Sequence, residues 1–422
     1  MLTAEQNDQL TRIEGDAPMG RMMREHSWIP ACLSFALRPD GAPQRVRLLG
    51  TDYVAFRDSS GTIGFLDERC PHRNASLVLA RNEDCALTCI FHAWRIDASG
   101  QVVDAPTHAP DAAAFAAKIR TPSYPVVDAG GLVWVYLGDG EAPPFPHLPF
   151  TVLPENHIWV TATKVACNWL QGVEATLDTA HIGTLHRAYV HRLAAVSDDT
   201  TIGETAEALA PRYEIDHTDY GIDAIALRPL ADGTTYRRTT KWIMPTVSLV
   251  PGNAGTPTDG VIFIVSPVDD HNHVLFHGFW SYDTVISDGR YEELPPEREA
   301  MVGDRPFDVH DYGGFSGGRD DNWGQDREAM ANGHFSGFTG NLIQEDTVTQ
   351  VSMGPIVDRT KEHLSSSDVA IIHARRVLLR ALENVADDRP PVGPGPLGDL
   401  RHAHPVDEVV PPESPVDQTV DA

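Results

Sequence analysis

Two short segments, Cys70-Pro71-His72 and Cys89-Ile90-Phe91-His92, separated by sixteen residues, constrain this chain more than any other feature. Two thiolates and two imidazoles delivered by two loops suit a metal of intermediate softness, so the fold has to bring these loops together. Zinc accepts the same set of two Cys and two His. The usual zinc finger takes both cysteines from one place and both histidines from another, whereas here each segment carries one of each. Either each loop offers one ligand to each of two irons, or both loops clamp one zinc. Disulfides are a poor alternative. Five cysteines in 422 residues (Cys32, Cys70, Cys85, Cys89, Cys167) are too few for a scaffold, and three of them fall within twenty residues.

The chain around these loops reads as two bodies. From Arg45 to Leu137 apolar runs are short and separated by turn signals such as Ser60-Gly61 and Gly130-Gly131, which predicts a small antiparallel β domain. Asp111 to Lys118 is alanine-rich behind an Asp suited to N-capping, so one short helix is expected there. A proline-rich connector, Pro143 to Pro154, breaks the pattern. Beyond it, Asn168 to Arg192 is helical in texture. Arg212–Arg228, Tyr236–Val250, Val261–Val268 and Val274–Tyr282 read as strands, with Asp232-Gly233 as a hairpin turn. Ser367–Glu383 reads as an amphipathic helix, and Gly313–Gly340 as a long loop of the kind that forms functional lids. The boundaries expected are an N-terminal segment 1–44 packing on the larger domain, a metal-binding β domain 45–142, a second domain 143–386, and an acidic, proline-rich surface tail 387–422.

Composition removes several partners. With 60 acidic and 33 basic side chains the net charge is −27, a field that repels nucleic acid and anionic membranes and obliges an anionic substrate to find a local basic pocket. The polar amino terminus lacks a signal-peptide pattern and there is no apolar run of about 18 residues, so the expected location is the cytoplasm.

The C-x-H and C-x2-H spacing, with its surroundings Cys70-Pro-His-Arg73 and Cys89-x-x-His-x-Trp94, resembles the Rieske domain of aromatic ring-hydroxylating oxygenases. The resemblance implies a 2Fe-2S cluster, one iron on Cys70 and Cys89 and the other on His72 and His92. Cys85 then reads as a small buried apolar residue. Phe91 and Ala93 stand where the family has Tyr and Gly.

A second constellation follows about ninety residues later, Asn168-Trp-Leu-Gln-Gly-Val-Glu-Ala-Thr-Leu-Asp178-Thr-Ala-His181-Ile-Gly-Thr-Leu-His186. His181 and His186, five apart, diverge by about 140° on a regular helix, so they meet one metal only if the helix bulges or ends between them, and Gly183 makes that cheap. Two histidines and a carboxylate form the facial triad of non-heme Fe(II). The third ligand has to come from far along the chain. Glu345 and Asp346 are adjacent and point differently, so only one can reach, and Asp358 is a third option, better suited to a structural ion pair.

Together the two sites resemble Rieske non-heme iron oxygenases. The segments Met1-Leu-Thr-x-x-x-Asn7, Pro18-Met-Gly20, Gln350-Val-Ser-Met-Gly-Pro-Ile356 and Asp358-Arg-Thr-x-Glu-His-Leu364 resemble the phthalate 4,5-dioxygenase-like branch. That implies an α+β architecture: a small antiparallel β Rieske domain plus a larger catalytic domain with a central antiparallel sheet flanked by helices. It implies Asp346 as the third ligand of a mononuclear Fe(II). It implies Asp178 as a catalytic bridge from His181 to a cluster histidine, here His92, of the neighbour in a homo-trimer or stacked trimers. NADH electrons arrive through a separate reductase, with or without a ferredoxin, and with O2 an aromatic carboxylate is hydroxylated, by ring dihydroxylation or O-demethylation. Arg237, Arg238 and Lys241 are the candidate cations for the carboxylate, with Arg238 on the opposite strand face from the other two. The competing reading is a Rieske electron carrier or partner-binding protein, against which the second metal motif argues.

Overall fold

Ten short strands and a few helical turns make up the first third of the chain in the computed structural model, which describes residues 2–196, 203, 207–252, 258–287, 306–393 and 396–411. β1 (Trp28–Leu33) is followed by the antiparallel meander of β2 (Gln44–Leu48), β3 (Thr51–Arg57) and β4 (Ile63–Asp67). β5 (Arg81–Glu83), β6 (Ala86–Thr88), β7 (Arg95–Asp97) and β8 (Val102–Asp104) form a four-stranded sheet, and β9 (Val126–Ala129) pairs with β10 (Leu132–Tyr136). Val54, Phe56, Leu66, Leu87, Trp94 and Ile96 share a core in which Cys70 and Cys89 are also buried. The helix α3 (Ala112–Ala116) forms as expected, but Asp111 makes no capping hydrogen bond to it.

The N-terminal segment does more than pack on the larger domain. Its helices α1 (Ala4–Thr11) and α2 (Pro18–His26) lie against the helix Val369–Ala386 of the larger body, while β1 pairs with β10 and so completes a sheet of the small body.

The larger body is built on one antiparallel sheet. Its strands are β11 (Ile158–Val165), β12 (Arg212–His217), β13 (Gly221–Pro229), β14 (Thr235–Ile243), β15 (Val247–Pro251), β16 (Gly260–Asp269) and β17 (Asn272–Trp280), in the order β11-β17-β16-β15-β14-β13-β12. Two runs read as single strands are each two. Residues 218–220 turn the chain between β12 and β13, and Met244-Pro245-Thr246 separates β14 from β15, since proline lacks the N–H a ladder needs. The Asp232-Gly233 turn joins β13 to β14 as expected, fixing Arg228 opposite Tyr236.

Helices flank this sheet. α4 (Trp169–Leu177) packs on β16 and β17, where Gly172 allows the approach because a Cβ there would sit 3.0 Å from Val265 Cγ1 of β16 and 2.7 Å from His273 Nε2 of β17. The expected 168–192 helix stops at Leu177, passes through a 3₁₀ turn at His181–Gly183 and restarts as α5 (Arg187–Val196). Within the 313–340 loop, residues Arg319–Gly324 and α6 (Arg327–Ala331) are helical turns. α7 (Leu342–Ser352) and α8 (Val369–Ala386) follow. The tail is not all surface chain either, because β18 (Val406–Val410) pairs with β14. Its last residues, 412–422, lie outside the described residues.

A buried ion-pair network clamps α4. Glu174 accepts from Arg359 at 2.8 Å and Arg375 at 2.7 Å, Arg375 also reaches Glu362, and Arg359 reaches Asn7 of α1. Removing one partner would strand a buried charge, at a cost of about 3–5 kcal/mol. No helix among the described residues is long and apolar enough to cross a membrane.

Candidate active site

The two Cys/His loops are built alike. Cys70 N–H donates to Ala75 O and Asn74 N–H back to Cys70 O; Cys89 N–H donates to Trp94 O and Ala93 N–H back to Cys89 O, all at 2.8–2.9 Å. Asn74 and Ala93 close their loops at φ +60° and +57°. That left-handed turn is where glycine is unstrained, so the alanine at 93 carries a backbone cost. The His72 and His92 rings stand 4.5 Å apart, and Trp94 stacks on His72 at 4.4 Å. Burial pushes the Cys70 thiol up to about 11, so a metal is what would make it a thiolate. His92 Nδ1 is buried without a hydrogen-bond partner. These residues therefore fit a metal cluster. Cys85, expected to be buried, is exposed, because it occupies a two-residue turn between β5 and β6 at φ +58°. Ile90 and Phe91 are exposed at the tip of the second loop, with the Arg73 guanidinium 5.3 Å over the Phe91 ring.

The second site forms where α4 ends. Asn168 caps α4 by accepting from Leu170 N–H, and after Leu177 the backbone turns extended at Asp178. The 3₁₀ turn then presents His181, and His186 precedes α5. Across from them α7 brings Asp346. His181 Nε2 and His186 Nε2 are 3.1 Å apart, and Asp346 Oδ1 lies 3.4 Å and 3.1 Å from them respectively. A triangle about 3 Å on a side is what three neighbouring ligands about 2.1 Å from one ion require. Among the described residues this is the one set of three or more His, Cys, Asp or Glu whose donor atoms all lie within 4.8 Å of one another.

Carboxylates orient both rings from behind. His181 Nδ1 faces Asp178 at 3.3 Å, and His186 Nδ1 donates to Glu345 at 2.8 Å, leaving both Nε2 atoms for a metal. Glu345 is fully buried and also accepts from Ser336 Oγ, so it faces a partner of the ligand and not solvent. Burial opposes charge on His186, yet Asp346 and Glu345 raise it to about 10, which shows that the surroundings favour a cation. Asp358 pairs with Lys361 on the surface, and its neighbour Arg359 turns inward to Glu174.

A cavity of about 150 Å³ opens beside His181, His186 and Asp346, a size that accommodates a benzene-sized ring. Val261, Leu275 and Phe279 give it apolar walls. Of the three expected cations only Arg238 lines it. Arg237 pairs with Glu408 on β18 and Lys241 with Asp223, both on the other strand face. The sequence reading missed Arg228. It sits diagonally from Arg238 on the same face of the β13–β14 hairpin, is 2% exposed, and donates to Thr179 O and Oγ1, tying it to the loop that carries His181. Arg228 Nε and Nη1 and Arg238 Nε are buried without hydrogen-bond partners among the described residues.

Comparison with known proteins finds two family models along the chain. The model described as Rieske [2Fe-2S] domain matches residues 27–125, and that described as LigXa C-terminal domain like matches residues 135–411. The chain belongs to the Rieske non-heme iron oxygenases. It is 36% identical to the phthalate 4,5-dioxygenase oxygenase subunit of Pseudomonas putida, over 94% of this chain and 89% of that protein. It is 34% identical to the 3-chlorobenzoate-3,4-dioxygenase oxygenase subunit of Comamonas testosteroni, over 90% and 89%. Dicamba monooxygenase bound to dicamba shares the fold at a TM-score of 0.58 and 19% identity, covering 86% of this chain and 99% of that one. As a Rieske oxygenase the protein is a terminal oxygenase that works with a 2Fe-2S cluster and a mononuclear iron, and the pure electron-carrier reading falls away.

Proposed function

We propose that this oxygenase hydroxylates an aromatic carboxylate held between Arg228 and Arg238 and the His181, His186, Asp346 site. The observation that carries it is the pair of buried guanidinium groups with unpartnered N–H donors in the same cavity as the three convergent metal donors. An anion is the partner those donors lack, and in a protein of charge −27 such a pocket has to be local. In this reading Cys70 and Cys89 hold one cluster iron, His72 and His92 the other, and Asp178 links His181 to the neighbouring subunit's cluster in a trimer. A reductase, with or without a ferredoxin, supplies NADH electrons in the cytoplasm. Held by Cys70, His72, Cys89 and His92, the cluster would supply single-electron transfer, and an Fe(II) held by His181, His186 and Asp346 would supply dioxygen activation. The chain's own work is to fix the ring by its carboxylate and to exclude water with the apolar walls.

Two measurements test this. An oxygenase holds three irons per chain, and two would restore the carrier reading. With a reductase present, a panel of phthalates, methoxybenzoates and biphenyl carboxylates is expected to yield diol or formaldehyde. Arg238→Met and Arg228→Met should each raise KM for the acid about 10- to 100-fold with both metals retained. Equal binding of methyl esters and free acids would show that the cationic pocket does not operate.

A further inference from the structure

α7 carries a second polar side chain into the cavity. Gln350 lies four residues after Asp346, on the same face of the helix and about 6 Å further along its axis. It lines the cavity, is 3% exposed, and its Oε1 is buried with no hydrogen-bond partner among the described residues. The backbone behind it is pinned, since Gln171 Nε2 donates to Gln350 O at 3.0 Å and to Gly354 O at 3.0 Å, which fixes the end of α7 from which the side chain springs. An unpaired buried acceptor is costly and persists where something else satisfies it. The cavity's polar lining includes Arg228, Arg238, Thr176 and Thr240, and no hydrogen bond from any of these four to Gln350 Oε1 is formed.

We propose that Gln350 Oε1 accepts a hydrogen bond from a hydroxyl on the substrate ring, so that the preferred substrate is a hydroxylated aromatic carboxylate. The inference rests on the aromatic-acid reading above and adds the second anchor. The carboxylate meets Arg228 and Arg238 on the sheet, and the hydroxyl meets α7 one turn from Asp346. Two anchors on different elements fix which edge of the ring faces the iron, which a single anion site cannot do.

The test is equilibrium binding of benzoate, its 2-, 3- and 4-hydroxy derivatives and their methyl esters to the iron-loaded oxygenase. One hydroxybenzoate isomer should bind about tenfold or more tighter than benzoate. In Gln350→Met that ratio should fall to about one, with Rieske absorbance and iron content unchanged, whereas Gln350→Glu keeps an acceptor and should keep the preference. Arg238→Met should weaken all the acids and leave the ratio standing. A preference that survives Gln350→Met, or is absent from the unmodified protein, overturns the role of Gln350 while leaving the arginine site intact. Esters that bind as well as acids overturn the arginine site while the hydroxyl ratio still reports on Gln350. Absence of binding by every probe overturns both.

Discussion

Asp346→Ala is expected to release the mononuclear iron while the Rieske absorbance stays in place. The substitution removes one of three donors whose separations of 3.1–3.4 Å define the site, and nothing else on α7 can replace it, because Glu345 is already spent on His186 Nδ1 and Ser336. Loss of a ligand should exceed the roughly 10- to 100-fold drop in metal affinity that follows loss of an orienting partner. Glu345→Ala belongs to that milder class and should loosen the iron without emptying the site. Iron per chain, measured by chelation alongside the visible spectrum, separates the two. Retention in Asp346→Ala together with loss in Glu345→Ala would move the ligand to Glu345.

Asp178→Asn should keep both metals and lose turnover by at least about 100-fold. Asp178 ends α4, takes Ala180 N–H on one oxygen at 2.7 Å and faces His181 Nδ1 with the other at 3.3 Å, while remaining partly exposed. Burial alone would raise its pKa, yet the hydrogen bond and charge of His181 hold it below the usual carboxylate range, so it is an anion able to bind two imidazoles. The decisive readout is a single turnover from pre-reduced protein: the variant's cluster should accept electrons but fail to be reoxidised by substrate and O2. Normal reoxidation and full activity would leave Asp178 as a helix-end carboxylate.

The metal donors were legible because their chemistry is written in spacing. Cys70, His72, Cys89 and His92 sit in two similar loops, and the requirement that His181 and His186 share a metal demanded irregular backbone between them, where the structure has the 3₁₀ turn His181–Gly183; that α4 already ends at Leu177, ahead of both histidines, was not foreseen. The cavity cations were less so. Alternation along β14 correctly separated Arg238 from Arg237 and Lys241, but it does not say which face is inward. Pairing decides that, and the Asp232-Gly233 turn, already recognised, would have placed Arg228 opposite Tyr236 and so diagonal to Arg238 had the register been followed across it. Cys85 was misjudged because its burial was inferred from residue type, whereas the turn geometry between β5 and β6 puts it outside. The tail strand could not be seen at all, since the Val-Asp-Glu-Val-Val pattern of β18 is short and acquires strand character only from its partner.

That strand gives substrate selectivity a handle at the carboxyl end of the molecule. Asp407 accepts from the Tyr236 hydroxyl at 3.2 Å, the same hydroxyl receives Arg238 Nη1 at 3.2 Å, and Glu408 holds Arg237 at 3.0 Å on the next residue. Loss of that strand would leave the Tyr236 hydroxyl without its acceptor, while Arg238 keeps its bonds to Tyr236 and to Pro251 O. A protein trimmed ahead of residue 406 is therefore expected to keep its metals, and any change in its preference among acids would report on Tyr236 and not on a released Arg238.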